Sequence, residues 1–185
     1  ILANAQAPLA RATDSAGTAY TSFIQPRVGS RIAVCRATFT VAATAHDLYV
    51  MRPLNVVATS ASAAKDQKVI NLTEDPGSIA QYDYCAVQLE DGTYQLNVVQ
   101  SVSTLAITFT TNWSLAIEKG ARVFFFGVHT DGHESASLPA NSQVEFESDL
   151  GYFVGSQPGY PMMFYVANAT NASVLEGGTI VYGAV

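Results

Sequence analysis

Charged residues are scarce in this chain of 185 residues: Asp, Glu, Lys and Arg together make up 13% of it. An ordinary soluble domain contains roughly 25% charged residues. Apolar residues reach 49%, and disorder requires the reverse combination of high charge and few aromatic residues. Much of the surface must therefore be neutral and formed by Ser, Thr, Asn, Gln, Ala and Gly. A neutral surface loses little hydration free energy when another protein covers it.

Positive charge is scarcer than negative charge. Nine Lys and Arg residues against fifteen Asp and Glu residues give a net charge of −6. Five of the nine basic residues fall between residues 11 and 52, but they form no basic stripe of the kind that binds a phosphate backbone. A nucleic-acid partner is therefore not predicted. No run of eighteen apolar residues occurs either, so we predict neither a transmembrane helix nor a membrane partner.

Cysteine is limited to Cys35 and Cys85. Two distant cysteines cannot form the disulfide framework that holds small secreted domains together. They could form a single bridge between sheets. The favoured interpretation is two buried thiols that act as small hydrophobic side chains.

Long amphipathic helical patterns are missing, and strand patterns are present instead. From residue 19 onward, short alternating apolar runs are separated by Gly, Pro, Asn and Asp. The clearest signal is Asp91-Gly92 between the runs 84–89 and 94–99, because Asp-Gly favours the positive φ of a hairpin turn. The run 31–41 alternates with a change of phase, which predicts a bulge or a bend in a long strand. Only 60–68 has helical propensity, and it suits a polar loop equally well.

Eight to ten strands at short spacing predict an all-β fold, and we expect a jelly-roll-like β-sandwich. Residues 1–18 are rich in Ala and follow neither period, so we interpret them as an extended N-terminal arm. Its apolar start, Ile1 and Leu2, should cover its own domain or a neighbouring subunit. No linker or internal repeat divides the remainder. We therefore predict one β-sandwich domain over 19–185.

The residues with the greatest chemical potential lie in the loop 129–134. His129, Asp131 and His133 are weak candidates for metal ligands, because imidazole and carboxylate groups bind metals and Gly132 permits a tight turn. Their spacing matches neither His-Glu-x-x-His nor a pair of Cys-x-x-Cys motifs, and the His-x-His of a cupin metal site is missing. The favoured interpretation is a solvated polar turn. We predict no metal site, no cofactor and no catalytic residue.

Aromatic and Met side chains surround several Gly and Pro residues between positions 151 and 165. Tyr, Phe and Met are enriched in the cores of protein interfaces, so this segment could form an interface loop. The alternative is a segment that folds back to cap the sandwich. The residues predicted to bind a partner, including the start of the arm, are Ile1, Leu2, Tyr152, Phe153, Tyr160 and Met162.

Low charge, a neutral surface, an apolar arm, an all-β body and the lack of a catalytic motif resemble the capsid decoration proteins of tailed bacteriophages, also called cement or head accessory proteins. The resemblance is one of overall character over most of the chain, and a viral coat jelly roll has a similar character. It implies a structural protein on the capsid surface of a virion that stabilises the head lattice. The implied partners are the major capsid protein and further copies of the chain, most often in a trimer, with residues 1–17 as the arm.

Two other functions remain open. A carbohydrate- or receptor-binding β-sandwich, like an adhesin or a lectin, would use Trp113, Tyr152, Tyr160 or Asp131 in loops at strand ends. A jelly-roll metalloenzyme would be built on the loop 129–134. An oligomer of fixed size would favour the capsid function, a glycan-array signal the carbohydrate function, and bound metal the enzyme.

Overall fold

The structure is a computed structural model, and it describes residues 5–8, 10–12, 18–26, 29–127, 134–148, 153–155, 157–168 and 175–184. Every regular secondary-structure element in these residues is a β-strand, which confirms the all-β prediction. Among the same residues there is no helix of the length and hydropathy that a membrane crossing needs. The strands are β1 (Ala5–Pro8), β2 (Ala10–Ala12), β3 (Thr18–Ile24), β4 (Ile32–Val41), β5 (His46–Met51), β6 (Asn55–Ala58), β7 (Val69–Asn71), β8 (Tyr84–Gln88), β9 (Tyr94–Ser103), β10 (Ala106–Phe109), β11 (Arg122–Phe126), β12 (Glu134–Leu138), β13 (Ser142–Glu147), β14 (Phe153–Val154), β15 (Met162–Asn168) and β16 (Leu175–Ala184).

The chain divides by its internal contacts into two compact units. Unit 1 consists of Ile1–Arg52 and Gly132–Val185, and unit 2 is the continuous segment Pro53–Asp131. Unit 2 is therefore inserted into the connection between β5 and β12. Each unit has a hydrophobic core of its own. The single domain over 19–185 stays a prediction.

Unit 1 contains two antiparallel sheets. The first has the order β1-β16-β4-β13, with β14 also paired to β4, and the second has the order β12-β5-β15-β3-β2. Apart from β2 and β14, the strands form two sets of four, and the chain crosses repeatedly between them. Two four-stranded sheets connected in this way are the arrangement of a jelly roll. The prediction of a jelly-roll-like sandwich is confirmed.

The core of unit 1 lies between these two sheets. Strand β4 contributes Phe39 from the first sheet, and β15 contributes Phe164 from the second. Phe153 of β14 packs edge-on against Phe164, with the ring centroids 5.4 Å apart. Burial of a large apolar side chain of this kind stabilises the fold by about 1.5–3 kcal/mol. The apolar residues alternate along the sequence because every second side chain of these strands points into this core.

Strand β4 contains a bulge at Cys35. Its register against β16 passes from Arg36 opposite Val181 to Val34 opposite Tyr182, which leaves Cys35 without a partner. Core residues have even numbers before Cys35 and odd numbers after it. The Cys35 thiol donates a hydrogen bond to the Val181 carbonyl over 3.3 Å. The change of phase predicted a bulge or a bend, and the bulge is confirmed.

The described part of the predicted arm is paired within unit 1. Strand β1 adds to the edge of the first sheet beside β16, and β2 adds to the edge of the second sheet beside β3. These two strands of the arm thus pair with the sheets of their own domain. Ile1 and Leu2 lie outside the described residues.

Unit 2 is one antiparallel sheet with the order β6-β11-β8-β9-β10-β7. Its two outer strands meet where Thr59 forms a bridge with Leu72. On either side of this bridge, the Ser60 amide donates to the Asn71 carbonyl over 2.8 Å and the Thr73 amide donates to the Ala58 carbonyl over 2.9 Å. The sheet therefore closes on itself around its core.

Both faces of β11 in unit 2 are buried. Phe124, Phe125 and Phe126 are each 0% exposed, although consecutive residues of a strand point to opposite faces of its sheet. Phe125 belongs to the core of the closed sheet. Phe124 contacts Tyr94, with the ring centroids 5.7 Å apart. The guanidinium of Arg122 lies 4.8 Å from the centroid of the Phe124 ring.

Cys35 and Cys85 are both free thiols. They lie in different units, so a bridge between sheets, the second possibility read from the sequence, is not formed. Cys85 is buried in the core of unit 2, and burial raises the pKa of its thiol well above the ordinary range. Cys35 is half-buried at the bulge. The interpretation as small hydrophobic side chains fits Cys85 better than Cys35.

Candidate functional site

The residues predicted to bind a partner fall into three groups in the structure. Ile1, Leu2 and Tyr152 lie outside the described residues. Phe153 and Met162 are almost fully buried in the core of unit 1, as the alternative of a segment that folds back requires. Tyr160 is half-buried and keeps part of its surface exposed. Partner binding by this set stays a prediction.

The position of Tyr160 is set by a tight turn directly before β15. The Tyr160 amide donates to the Gln157 carbonyl over 3.2 Å, and the Gly159 amide donates to the Ser30 carbonyl over 2.9 Å. Gly159 has a φ of 74°, a conformation that side chains with a Cβ rarely adopt. The turn therefore requires glycine at this position and anchors Tyr160 to the neighbouring segment at Ser30.

The predicted weak metal ligands His129, Asp131 and His133 also lie outside the described residues. Glu134, the last residue of the same loop in the sequence, is the first residue of β12. Its carboxylate forms an ion pair with the Arg52 guanidinium at 2.8 Å. Within the described ranges, no group of three His, Cys, Asp or Glu residues could hold a metal ion.

A groove of about 930 Å³ lies in unit 2, beside the β8–β9 hairpin. Its volume is near the upper end of the range for small-molecule sites, which is roughly 300–1,000 Å³. Part of its wall is the segment 88–91, which leads into the turn predicted from the sequence, and the rest comes from residues between 115 and 122, at the start of β11. The residues that line it are Gln88, Leu89, Glu90, Asp91, Leu115, Ala116, Glu118, Lys119, Gly120, Ala121 and Arg122.

Gln95 of β9 fixes one wall of this groove. Its side-chain Oε1 accepts hydrogen bonds from the Ser114 amide at 3.1 Å, the Ser114 hydroxyl at 2.8 Å and the Leu115 amide at 3.1 Å. Its Nε2 donates to the Leu115 carbonyl over 3.3 Å. Leu115 is therefore held in place although its side chain is 52% exposed.

Charges of both signs surround the groove. Glu90, Asp91 and Glu118 are acidic, and Lys119 and Arg122 are basic. Mixed signs do not focus a strong field on one ion. No His, Cys, Ser or Thr lines the groove, so its lining supplies neither a hydroxyl or thiol nucleophile nor an imidazole base.

The Asp91 carboxylate at the rim is held by its own turn. Its Oδ1 accepts hydrogen bonds from the Thr93 hydroxyl at 2.6 Å and from the Thr93 amide at 2.9 Å. These bonds, first the one from the hydroxyl and then the one from the amide, keep the pKa of Asp91 below its ordinary value. The carboxylate is therefore ionised at neutral pH and belongs to the hairpin turn.

Trp113, a candidate for carbohydrate stacking, is 1% exposed. It packs edge-on against Phe109 in the core of unit 2, with the ring centroids 4.7 Å apart. A buried indole cannot stack on a sugar, so this part of the carbohydrate hypothesis is wrong. Asp131 and Tyr152, two further candidates, lie outside the described residues.

No protein-family model matches the chain, and no curated protein sequence matches it. Among solved structures, it is similar to capsid proteins of bacteriophage P23-77. For a chain of the VP16–VP17 complex of the two major capsid proteins, the identity is 12% and the TM-score 0.22, over 91% of this chain and 100% of that one. For VP17 alone, the identity is 13% and the TM-score 0.21, over 91% and 96% of the two chains. TM-scores of this size carry no inference about this chain.

Proposed function

We propose that this chain is a structural virion protein, a capsid decoration or cement protein that self-associates and stabilises a head lattice through protein–protein contacts. The observation that carries the proposal is the strand order of unit 1, β1-β16-β4-β13 against β12-β5-β15-β3. This jelly-roll arrangement occurs in viral capsid proteins, in lectins and in cupins. The choice among these three classes rests on the surface.

The surface favours contact with another protein. Charged residues make up only 13% of the chain. Of the five exposed positions on β4 and β12, three are neutral and two are charged: Thr40, Ser135 and Ser137 beside Arg36 and Glu134. Few ions must be stripped of water when such a surface is covered. Other capsid proteins cover much of the surface of a cement protein in the assembled particle. Low charge reduces the desolvation free energy that this covering costs.

The two competing classes have less support in the described residues. A lectin would need an exposed aromatic ring at its site, but Trp113 is buried and no aromatic residue lines the groove in unit 2. A cupin enzyme would depend on the loop 129–134, whose spacing does not match the metal motif of that class.

The proposed partners are the major capsid protein and further copies of the chain. In this proposal Ile1, Leu2, Tyr152 and Tyr160 contact the lattice. Phe153 and Met162, which are buried, hold the segment between them against the sandwich.

The test is to purify the particles from cells in which the chain is made during virus assembly. We expect an icosahedral particle that contains this chain in a fixed ratio to a major coat protein. Tyr160→Ala should lower the occupancy of the chain on particles, whereas Leu105→Ala, at the exposed turn after β9, should leave it unchanged. A chain that is missing from purified particles and turns over a substrate as a monomer would overturn the proposal.

A further inference from the structure

The edge strands of unit 1 differ in how they are protected from pairing with another chain. An edge strand offers unpaired N–H and C=O groups, and proteins block such edges with Pro, charge or short length. Strand β1 contains Pro8, which has no N–H to donate. Strand β2 has only three residues. The short strand β14 has two residues.

Strand β13 is protected by charge. Glu145 and Glu147 are exposed along it. Arg36 of β4 forms ion pairs with both, at 2.9 Å from Nε to Glu145 and 2.6 Å from Nη2 to Glu147. A strand approaching this edge would have to desolvate these ions, which disfavours pairing. Unit 2 offers no comparable edge because its sheet closes between β6 and β7.

Strand β12 has none of these protections along its centre. It pairs with β5 over its five residues, from Glu134 opposite Val50 to Leu138 opposite His46. No other described strand pairs with its second edge. Its middle residues, Ser135, Ala136 and Ser137, are small and uncharged.

We propose that the free edge of β12 pairs with β12 of a second copy of this chain, antiparallel and centred on Ala136. This register places Ser135 of one copy opposite Ser137 of the other. It also joins two five-stranded sheets into one continuous sheet, ordered β2-β3-β15-β5-β12 and then the same strands in reverse. An antiparallel strand pair centred on one residue has the two-fold symmetry of an isologous dimer.

The charges at the ends of β12 are compatible with this register. Glu134 of each copy lies opposite Leu138 of the other, four residues from the second Glu134. At about 3.4 Å per residue, the two carboxylates are about 14 Å apart along the sheet, beyond the Debye length of about 8 Å at physiological ionic strength. Each is also paired with Arg52 of its own chain at 2.8 Å. No like charges face each other at short range.

Disulfide cross-linking tests both the pairing and its register. Ser135→Cys and Ser137→Cys are made separately in a Cys35→Ala background, with the buried Cys85 retained, and each is oxidised alone and in a mixture. Residues directly opposite have Cβ atoms about 4.5–5.5 Å apart, whereas diagonal neighbours are about 7–8 Å apart, too far for a disulfide. We expect cross-linked dimers in the mixture and few or none in either variant alone. Gln143→Cys on β13, oxidised alone and mixed with either variant, should give none.

Mass in solution provides the second measurement. Light scattering of the intact chain should give a molar mass of twice 19.6 kDa. The double variant Ser135→Lys/Ser137→Lys should give the mass of one chain. The Lys variant places like charges on opposing strands, and its circular dichroism and melting temperature report whether unit 1 still folds. A chain that is monomeric with no cross-link in the mixture would overturn the pairing, as would a trimer that the Lys variant leaves intact.

The pairing does not rest on the virion function, and the two proposals fail separately. A dimer that cross-links as expected but never enters particles would overturn the virion function alone. A trimer found on particles, with no cross-link through β12, would overturn the edge pairing alone.

Discussion

Thr104, in the turn between β9 and β10, has a φ of 48°. A β-branched residue rarely adopts this left-handed conformation, which costs L-residues about 1–2 kcal/mol, whereas Asn tolerates it. We therefore expect Thr104→Asn to raise the free energy of unfolding by about 1 kcal/mol. Urea denaturation of the full chain measures the change.

Thr108→Asn is the matched control for this substitution. Thr108 lies in β10 without a positive φ, where a β-branched residue suits the strand. It should be neutral or destabilising. A Thr104→Asn variant no more stable than the wild type would contradict the assignment of strain to this turn.

The Thr93 hydroxyl gives Asp91 a measurable signature. Because the folded-state pKa of Asp91 is below its ordinary value, its hydrogen bonds contribute stability at pH above that ordinary value. The contribution is lost as the pH falls through the lower, folded-state pKa. Thr93→Val removes the hydroxyl bond but keeps the amide bond, so the pKa of Asp91 should rise part of the way to its ordinary value.

Carboxyl NMR titration of the full chain checks this expectation. Ser78→Ala, an exposed substitution outside the hairpin, should leave the Asp91 pKa where it is in the wild type. An Asp91 pKa that does not move in Thr93→Val would mean that the amide bond and the solvent alone set it.

At the scale of elements, Gln95 joins β9 to the segment at 114–115. Gln95→Ala removes an acceptor that three donors share. The Ser114 and Leu115 amides should then exchange with solvent about tenfold faster, the equivalent of about 1.4 kcal/mol for the lost bonds. Hydrogen-exchange mass spectrometry of peptides covering 110–118 measures this change.

Gln100→Ala is the control on the same strand, since Gln100 is exposed. It should not alter exchange at 114–115. If Gln95→Ala also left the exchange unchanged, the segment would be held by its backbone bonds, such as the one from the Trp113 amide to the Gln67 carbonyl at 2.9 Å.

Elements set by local chemistry were predictable from the sequence. The Asp91-Gly92 hairpin is confirmed between β8 and β9, and Gly92 has the positive φ, 81°, that its turn requires. Strand β12 gave no such signal. Its sequence, Glu-Ser-Ala-Ser-Leu, lacks β-branched and aromatic residues, and it is extended because β5 pairs with it. Strand propensity cannot reveal a strand that its neighbours impose.

At the scale of the whole molecule, the candidate sites depended on information that the sequence does not display. The groove in unit 2 joins the predicted hairpin to the segment before β11, and these meet only because β8 pairs with both β9 and β11. The composition of the sequence does not change at the borders of the two units, because strand patterns continue through Pro53–Asp131. Long-range register decides both features, and alternation within one strand does not encode it.

The core of unit 2 predicts that this segment folds by itself. Residues 53–131 contain a closed sheet with Trp113, Phe109 and Phe125 inside it, and roughly 80 residues are enough for an independent core. The excised segment should show strand circular dichroism and a cooperative urea transition. Phe125→Ala in the same segment should lower its stability by about 3–5 kcal/mol.

A segment that shows strand signal without a cooperative transition would contradict this expectation. Such a result would also support the single domain predicted over 19–185. Val69→Ala, a substitution of an exposed strand residue, is the control and should change stability by about 0.5 kcal/mol or less.

The insertion of unit 2 between β5 and β12 affects how the chain is made on the ribosome. Strand β4 pairs with β13 and β16, so much of unit 1 cannot assemble until residues that follow unit 2 have been synthesised. At about 5–20 residues per second, that wait after residue 131 lasts about 3–10 s. Unit 2 is complete at the start of it, and its first and last strands, β6 and β11, are neighbours.

If unit 2 folds by itself, as expected for the excised segment, its folding brings the ends of β5 and β12 together before unit 1 assembles. It replaces a connection of roughly 80 residues by one that behaves like about 10, and at about 0.6 kcal/mol per doubling this lowers the closure entropy by about 2 kcal/mol. In that case the inserted unit holds the ends of β5 and β12 close together during synthesis. It prepares the hairpin on which the second sheet of unit 1 is built.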